Sequence, residues 1–247
     1  MNFLVDIGNS RIKWVCQVSG QLSGHGSKFY KKEENINFFD ELWENMPVPK
    51  RLLVANVGGG HIAEQLHQWS VNHWHIVPEF VSVTGQAYGV TNAYSDVNKL
   101  GIDRWMALIA VWHKYHSAAC IVDCGSAVTI DALNTEGEHL GGLILPGIML
   151  MQQSLSQKTM LEVNNKNETI EILADATEPA IRSGCILAIV GLIEHVLKEL
   201  QKSPGGKLCC ILAGGDAEKI KNHLPGEFIH DPHIVLEGLS IVAGGNL

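Results

Sequence analysis

Dense clusters of lysine and arginine are missing from this sequence. Its 18 Lys and Arg are outnumbered by 26 Asp and Glu, a formal charge of −8. Nucleic-acid or anionic-membrane binding through bulk charge is therefore a poor fit, and local donors must handle any anionic substrate. Proline (8 residues) and charged residues (18%) are also sparse, while 46% of the chain is hydrophobic and 25 residues are glycine. That balance excludes extended disorder, collagen-like repeats and coiled coil. The six cysteines, at 16, 120, 124, 185, 209 and 210, include no Cys-x-x-Cys pair. Neither a zinc site nor a disulfide framework follows, and most of them sit in apolar runs as small buried hydrophobes. No uncharged run approaches the roughly 20 residues of a membrane span. The start, MNFLVDIGNSRIKW, has no basic leader and reaches an aspartate at position 6, so a signal peptide is not expected. The expectation is a soluble, cytoplasmic chain with reduced thiols. Also absent are a Gly-x-x-x-x-Gly-Lys-Ser/Thr loop, a Gly-x-Gly-x-x-Gly turn (Gly58-Gly59-Gly60 does not fit), His-Glu-x-x-His and Gly-x-Ser-x-Gly.

What is present is a repeat. FLVDIGNSRIKW (3–14) and CIVDCGSAVTID (120–131) align Asp6 with Asp123 and Gly8 with Gly125, at an offset of 123 − 6 = 117 residues. Each reads as a buried strand, a tight Asp-x-Gly turn and a returning strand. Further strands are expected at 51–57, 75–83, 140–146 and 207–215. Apolar periodicity predicts helices over Asp103–Tyr115 and Thr177–Lys202, with Asp103 and Thr177 in N-cap position. Shorter helices are expected at 61–71, 147–157, 216–223 and 234–243. The pattern predicts an α/β protein of two related domains, 1–116 and 117–247, with a ligand cleft between them.

Two Asp-x-Gly turns related by a repeat suit a bracketed triphosphate. Glycine admits backbone N–H groups close to phosphate, Asn9, Ser10 and Ser126 add short donors, and Lys13 can reach back along the hairpin. An aspartate at a strand end can hold a hydrated Mg2+. Taken singly, either turn reads better as simple turn chemistry; the repeat reverses that preference. In TNAYSDVNKLGIDRW (91–105), Asp103 is either an N-cap or a base for a hydroxyl proton, beside an arginine able to neutralise phosphate charge. His73-Trp74-His75, with His61 and His67 nearby, is an incomplete ligand set and a weak metal candidate. KKEEN (31–35) reads as a solvated loop.

The segments VDIGNSRIK, YSDVNKLGIDRW, VDCGSAVTID, GGLILPG, TEPAIRSG and LAGGDAE, in this order, resemble the type III pantothenate kinases of the acetate/sugar kinase, Hsc70 and actin superfamily. The resemblance implies two ribonuclease H-like (actin-like) domains with mixed sheets. It implies ATP with Mg2+ as phosphoryl donor, bound by Asp6, Ile7, Gly8, Asn9, Ser10, Arg11, Ile12, Lys13 and Ser126. Pantothenate would lie on Tyr94, Gly101, Ile102, Asp103, Arg104 and Thr177, with Asp103 as catalytic base. Asp123 would bind a monovalent cation (K+ or NH4+), and Gly214-Gly215 would border the nucleotide. A homodimer is implied, with Thr177 acting across its interface. Two departures are that Ser10 and Ser126 stand where threonine is usual. A third is that the Asn-Pro usual between Tyr94 and Leu100 is replaced by Val97-Asn98. The family also includes accessory factors for transcription, the alternative to catalysis; Asp6, Asp103, Arg104 and Asp123, whose loss would mark it, are intact.

Overall fold

The computed structural model describes residues 1–30, 37–158, 169–202 and 208–245. In chain order the elements are β1 (Asn2–Ile7), β2 (Arg11–Val18), β3 (Gln21–Phe29), α1 (Asn37–Trp43), β4 (Arg51–Asn56), α2 (Gly60–Trp74), β5 (Glu79–Phe80), β6 (Gln86–Ala87), β7 (Val90–Thr91), a 3₁₀ turn (Val97–Lys99) and α3 (Ile102–Tyr115). Then follow β8 (Ala119–Cys124), β9 (Ala127–Leu133), β10 (His139–Pro146), α4 (Ile148–Lys158), α5 (Thr177–Leu200), β11 (Cys209–Ala213), α6 (Ala217–Lys221), β12 (Ile229–His230) and α7 (Ile234–Gly244). They form two compact units, Met1–Lys114 with His233–Leu247, and Tyr115–Pro232. The loop expected over 31–35 lies outside the described residues.

The repeat in sequence is a repeat in topology. The first unit carries a mixed sheet ordered β3-β2-β1-β4-β5, the second one ordered β10-β9-β8-β11-β12. In each, the first three strands are antiparallel neighbours and the last two join in parallel. The 117-residue offset maps the bounds of β1 onto those of β8.

Strand alternation divides the first sheet into two faces. Phe3, Val5, Ile7 and Ile12 pack with α1 and α2 around Phe39, Trp43, Trp69 and Trp74. The other face presents Leu4, Asp6, Lys13, Val15 and Gln17, by register. α7 lies on that face: the Gln17 amide donates to the Ser240 carbonyl (2.9 Å) and hydroxyl (2.7 Å). The chain thus returns α7 to the first unit because the apolar face over β1, β2 and β4 needs a cover.

In the second unit Cys120, Val122, Cys124, Val128 and Ile130 pack against α5 and α6. α5 is long and apolar enough to cross a membrane by length and composition. Its Cys185, Ile186, Ile189, Val190, Ile193 and Leu197 are buried in this core, which makes it a core helix of the unit.

Several expectations are corrected. The strand expected at 75–83 shrinks to Glu79–Phe80, because α2 runs on to Trp74 and ends where His75 turns left-handed (φ 57°). The helical spacing of Ile62, Leu66, Trp69 and Trp74 wins over the β-branched run that follows. Asp103 is not an N-cap but lies inside α3, which begins at Ile102. Thr177 is the first residue of α5; its N-cap is Ala176, which makes no side-chain capping bond.

Candidate active site

At the end of β1, Asp6 is buried (7% exposed) and stands directly opposite Lys13 in the antiparallel register, so both side chains share a face. The turn beyond is tight: the Gly8 N–H donates to the Arg11 carbonyl at 3.0 Å. That donor is therefore already engaged in the hairpin. Ile7 and Ile12 turn their side chains into the core and contribute backbone only. The Tyr30 hydroxyl clamps the turn from β3's end, donating to the Gly8 carbonyl at 2.6 Å. Gly58 passes so close that a Cβ there would meet the Tyr30 hydroxyl at 2.3 Å and the Gly8 carbonyl at 2.9 Å. Burial, and then the charge of Asp6, push the Tyr30 phenol pKa up, so it remains a donor.

The second group in this unit gathers at the start of α3. The Asp103 carboxylate accepts from the Arg104 backbone N–H at 2.8 Å. Gly101 makes this fold-back possible, since a Cβ there would lie 2.5 Å from the Asp103 Oδ1. Arg104 is buried, and its Nη1 donates to the Tyr94 hydroxyl at 2.9 Å, with its guanidinium 5.6 Å from the Tyr94 ring centre. The Tyr94 oxygen is thus the acceptor in this pair. Where proline is absent, Asp96 caps the 3₁₀ turn by accepting from the Asn98 N–H at 3.2 Å.

In the second unit Asp123 takes the place of Asp6. Its turn is one residue shorter, with the Gly125 N–H donating to the Ala127 carbonyl at 3.0 Å. Two glycines wrap it. Gly214 (φ 92°) would drive a Cβ to 2.3 Å from the Cys124 carbonyl, and Gly147 would drive one to 2.3 Å from the Gly125 carbonyl and 2.7 Å from that of Ser126. The Asp216 N–H closes the arrangement on the Cys124 carbonyl at 2.9 Å. A carboxylate and backbone carbonyls are oxygen donors, the ligand type hard cations take, and here the Cys124 and Ser126 carbonyls already accept the Asp216 and Gly147 N–H groups. Thr177 is carried on a different element, at the exposed start of α5.

The structure therefore brings Asp6, Gly8, Asn9, Ser10, Arg11 and Lys13 together on one hairpin, Tyr94, Gly101, Asp103 and Arg104 in a second group, and Asp123 with Ser126 on a third turn. Tyr30, Gly58, Gly147 and Asn92 were not identified from sequence. Glycines 58 and 147 each follow a strand, β4 and β10, which is the one signal they carry; a tyrosine following an edge strand and an asparagine in a loop carry none. The histidine cluster resolves into structure: His73 ends α2 with its Nε2 3.1 Å from Asp40 and its ring stacked on Trp69. Among the described residues no three His, Cys, Asp or Glu side chains gather as a metal-binding group.

A duplicated mixed sheet with an acidic turn at the end of each first strand is the actin-like, sugar-kinase-type architecture. Likeness to solved structures supports that fold. A Campylobacter jejuni chain described as a Baf-family transcriptional activator superposes with a TM-score of 0.64 at 23% identity, over 99% of this chain and 100% of its own. A Sinorhizobium meliloti chain described as a 2-dehydro-3-deoxygalactonokinase superposes at 0.62 with 11% identity, covering 98% and 96%. At these identities both speak for the fold alone. The family model for type III pantothenate kinase matches residues 2–199. A Type III pantothenate kinase from Nitrosococcus oceani is 41% identical over 98% of this chain and 94% of its own. The chain belongs to the type III pantothenate kinases.

Proposed function

We propose that the chain transfers the γ-phosphoryl group of ATP to the primary hydroxyl of pantothenate, giving 4′-phosphopantothenate and ADP, the entry to coenzyme A synthesis. Membership of the family carries the reaction, and the roles of its residues are those the resemblance implies. The observation that supports them is the Tyr94–Arg104–Asp103 group, in which one carboxylate oxygen is held by backbone and the cation beside it is buried and oriented.

In this reading the Asp103 carboxylate accepts the hydroxyl proton as the oxygen attacks phosphorus and the bond to ADP breaks. The proton acceptor chiefly orients the nucleophile, since phosphoryl transfer depends mainly on positioning and charge stabilisation. Tyr94 donates to an oxygen of pantothenate, and Arg104 holds Tyr94. The hairpin 6–13 takes the phosphates through Asn9, Ser10 and Lys13, with Ser126 contributing from the second turn. Asp6 would hold Mg2+, which would supply charge neutralisation at the phosphates. Asp123 would hold K+ or NH4+. The homodimer is supported by exposed apolar side chains on consecutive elements, Leu140, Leu143 and Ile144 on β10 and Met149, Leu150 and Leu155 on α4.

A coupled ADP-release assay tests the reading. ADP should appear only with pantothenate, Mg2+ and K+ together, and Asp103→Asn should lower turnover at least about 100-fold. Normal turnover in the Asn variant removes the role given to Asp103. Sedimentation of the same preparation as a monomer removes the dimer.

A further inference from the structure

Residues 84–101 form a strap that touches α3 at both of its ends. At the far end, the β6–β7 hairpin turns through Tyr88 and Gly89, both with positive φ (52° and 79°). Gly89 lies so close to Trp112 that a Cβ would fall 2.5 Å from the indole nitrogen. At the near end, the Tyr94 hydroxyl meets Arg104 in the first turn of the same helix. Between these anchors the chain must change direction between Thr91, the last residue of β7, and Tyr94.

Asn92 makes that change. Its backbone N–H closes the hairpin on the Gly85 carbonyl at 2.9 Å. Its side-chain oxygen accepts from the Tyr94 N–H at 2.9 Å, and its amide reaches the Thr84 carbonyl at 3.4 Å. An asparagine accepting from the backbone two residues on is an Asx turn, which sets the direction of the chain without help from regular structure. Tyr94 has no strand or helix of its own to aim it. Its aim comes from this turn on one side and Arg104 on the other.

We infer that Asn92 is a positioning residue for pantothenate binding, acting through the backbone of Tyr94 to hold its phenol on Arg104. The inference rests on the placement of Tyr94 at the substrate. It applies to ground-state binding of pantothenate, because the bonds of Asn92 run to Tyr94, Thr84 and Gly85 within the strap.

The experiment compares steady-state constants of Asn92→Ala, Asn92→Asp, Tyr94→Phe and Asn92→Ala/Tyr94→Phe with thermal unfolding of each. Asn92→Ala should raise the KM for pantothenate about fivefold, the factor one hydrogen bond commonly sets. The kcat and the KM for ATP should hold within about twofold. Asn92→Asp keeps the accepting oxygen and should restore the KM. In the Tyr94→Phe background, Asn92→Ala should add little, because both changes act on one contact. A raised KM in Tyr94→Phe with an unchanged one in Asn92→Ala overturns the inference and leaves the reading of Tyr94 standing. An unchanged KM in Tyr94→Phe overturns that reading and the inference with it. Parallel losses in kcat, both KM values and melting temperature for Asn92→Ala mean a merely structural residue, and also overturn it.

Discussion

Two glycines with similar backbones separate conformation from collision. Gly59 (φ 103°) and Gly214 (φ 92°) both adopt torsions that side chains resist, yet a Cβ at Gly59 meets nothing within 4 Å. At Gly214 it meets three backbone atoms of Cys124 within 2.5 Å. Alanine at Gly59 should therefore lose about 1–3 kcal/mol from backbone strain alone. Gly214→Ala should lose more, because strand-end backbone on the shoulder of Asp123 must move. Chemical denaturation of the two variants measures the difference, and equal losses exclude a close approach at Gly214. In the first unit Gly58 makes the corresponding close approach, with the Tyr30 hydroxyl beside it on the Gly8 carbonyl.

Elements differ in how much of themselves they disclosed. β1 and β8 were legible as short continuous apolar runs, α3 and α5 from helical apolar spacing, and the Asp-x-Gly turns because they recur 117 residues apart. β3 was not, since it is an exposed edge strand of serine, glycine and histidine with no alternation to read. α1 is a seven-residue helix, and β6 and β7 are two residues each, too short for any period to show. At the candidate site, the residues singled out from sequence carry reactive or charged side chains, whereas Asn92 and Gly147, which act through backbone, gave no such signal. The α3–α7 crossing was equally invisible: a Cβ on Gly238 of α7 would come within 2.1 Å of the Met106 carbonyl. Gly238→Ala should force these helices apart and destabilise the first unit by about 1–3 kcal/mol, as overpacking does. Thermal unfolding checks it; an unchanged midpoint means the helices already have room.

Across the molecule, burial of thiols sets an alkaline limit on stability. Burial, and next Cys210 and Asp131, push Cys120 up to about 12, and Cys210 is pushed up to about 11 by burial and Cys209. Cys124 is raised further, by burial and then by Asp123 and Asp216. In the unfolded chain these thiols ionise near 9, so above that pH the unfolded state sheds protons the folded state keeps. Their contribution is complete below pH 9 and fades as pH climbs towards 12. Melting midpoints under reducing conditions should be level from pH 7 to 9 and fall beyond it, less steeply in Cys120→Ala. A flat profile to pH 11 contradicts this burial. For the enzyme at neutral pH the same thiols are protonated and poor nucleophiles.

The return of α7 to the first sheet also sets an order of events during synthesis. β1 leads the chain, but the helix that covers its Asp6-bearing face is the last of the described elements to leave the ribosome. Until then that face stays uncovered while the whole second unit is made, and closing it joins residues more than 220 positions apart, such as Gln17 and Ser240. So long a closure is slow compared with local pairing. The second unit, continuous in sequence, has all its parts before α7 emerges, and the nascent first unit is the one that needs shelter from aggregation.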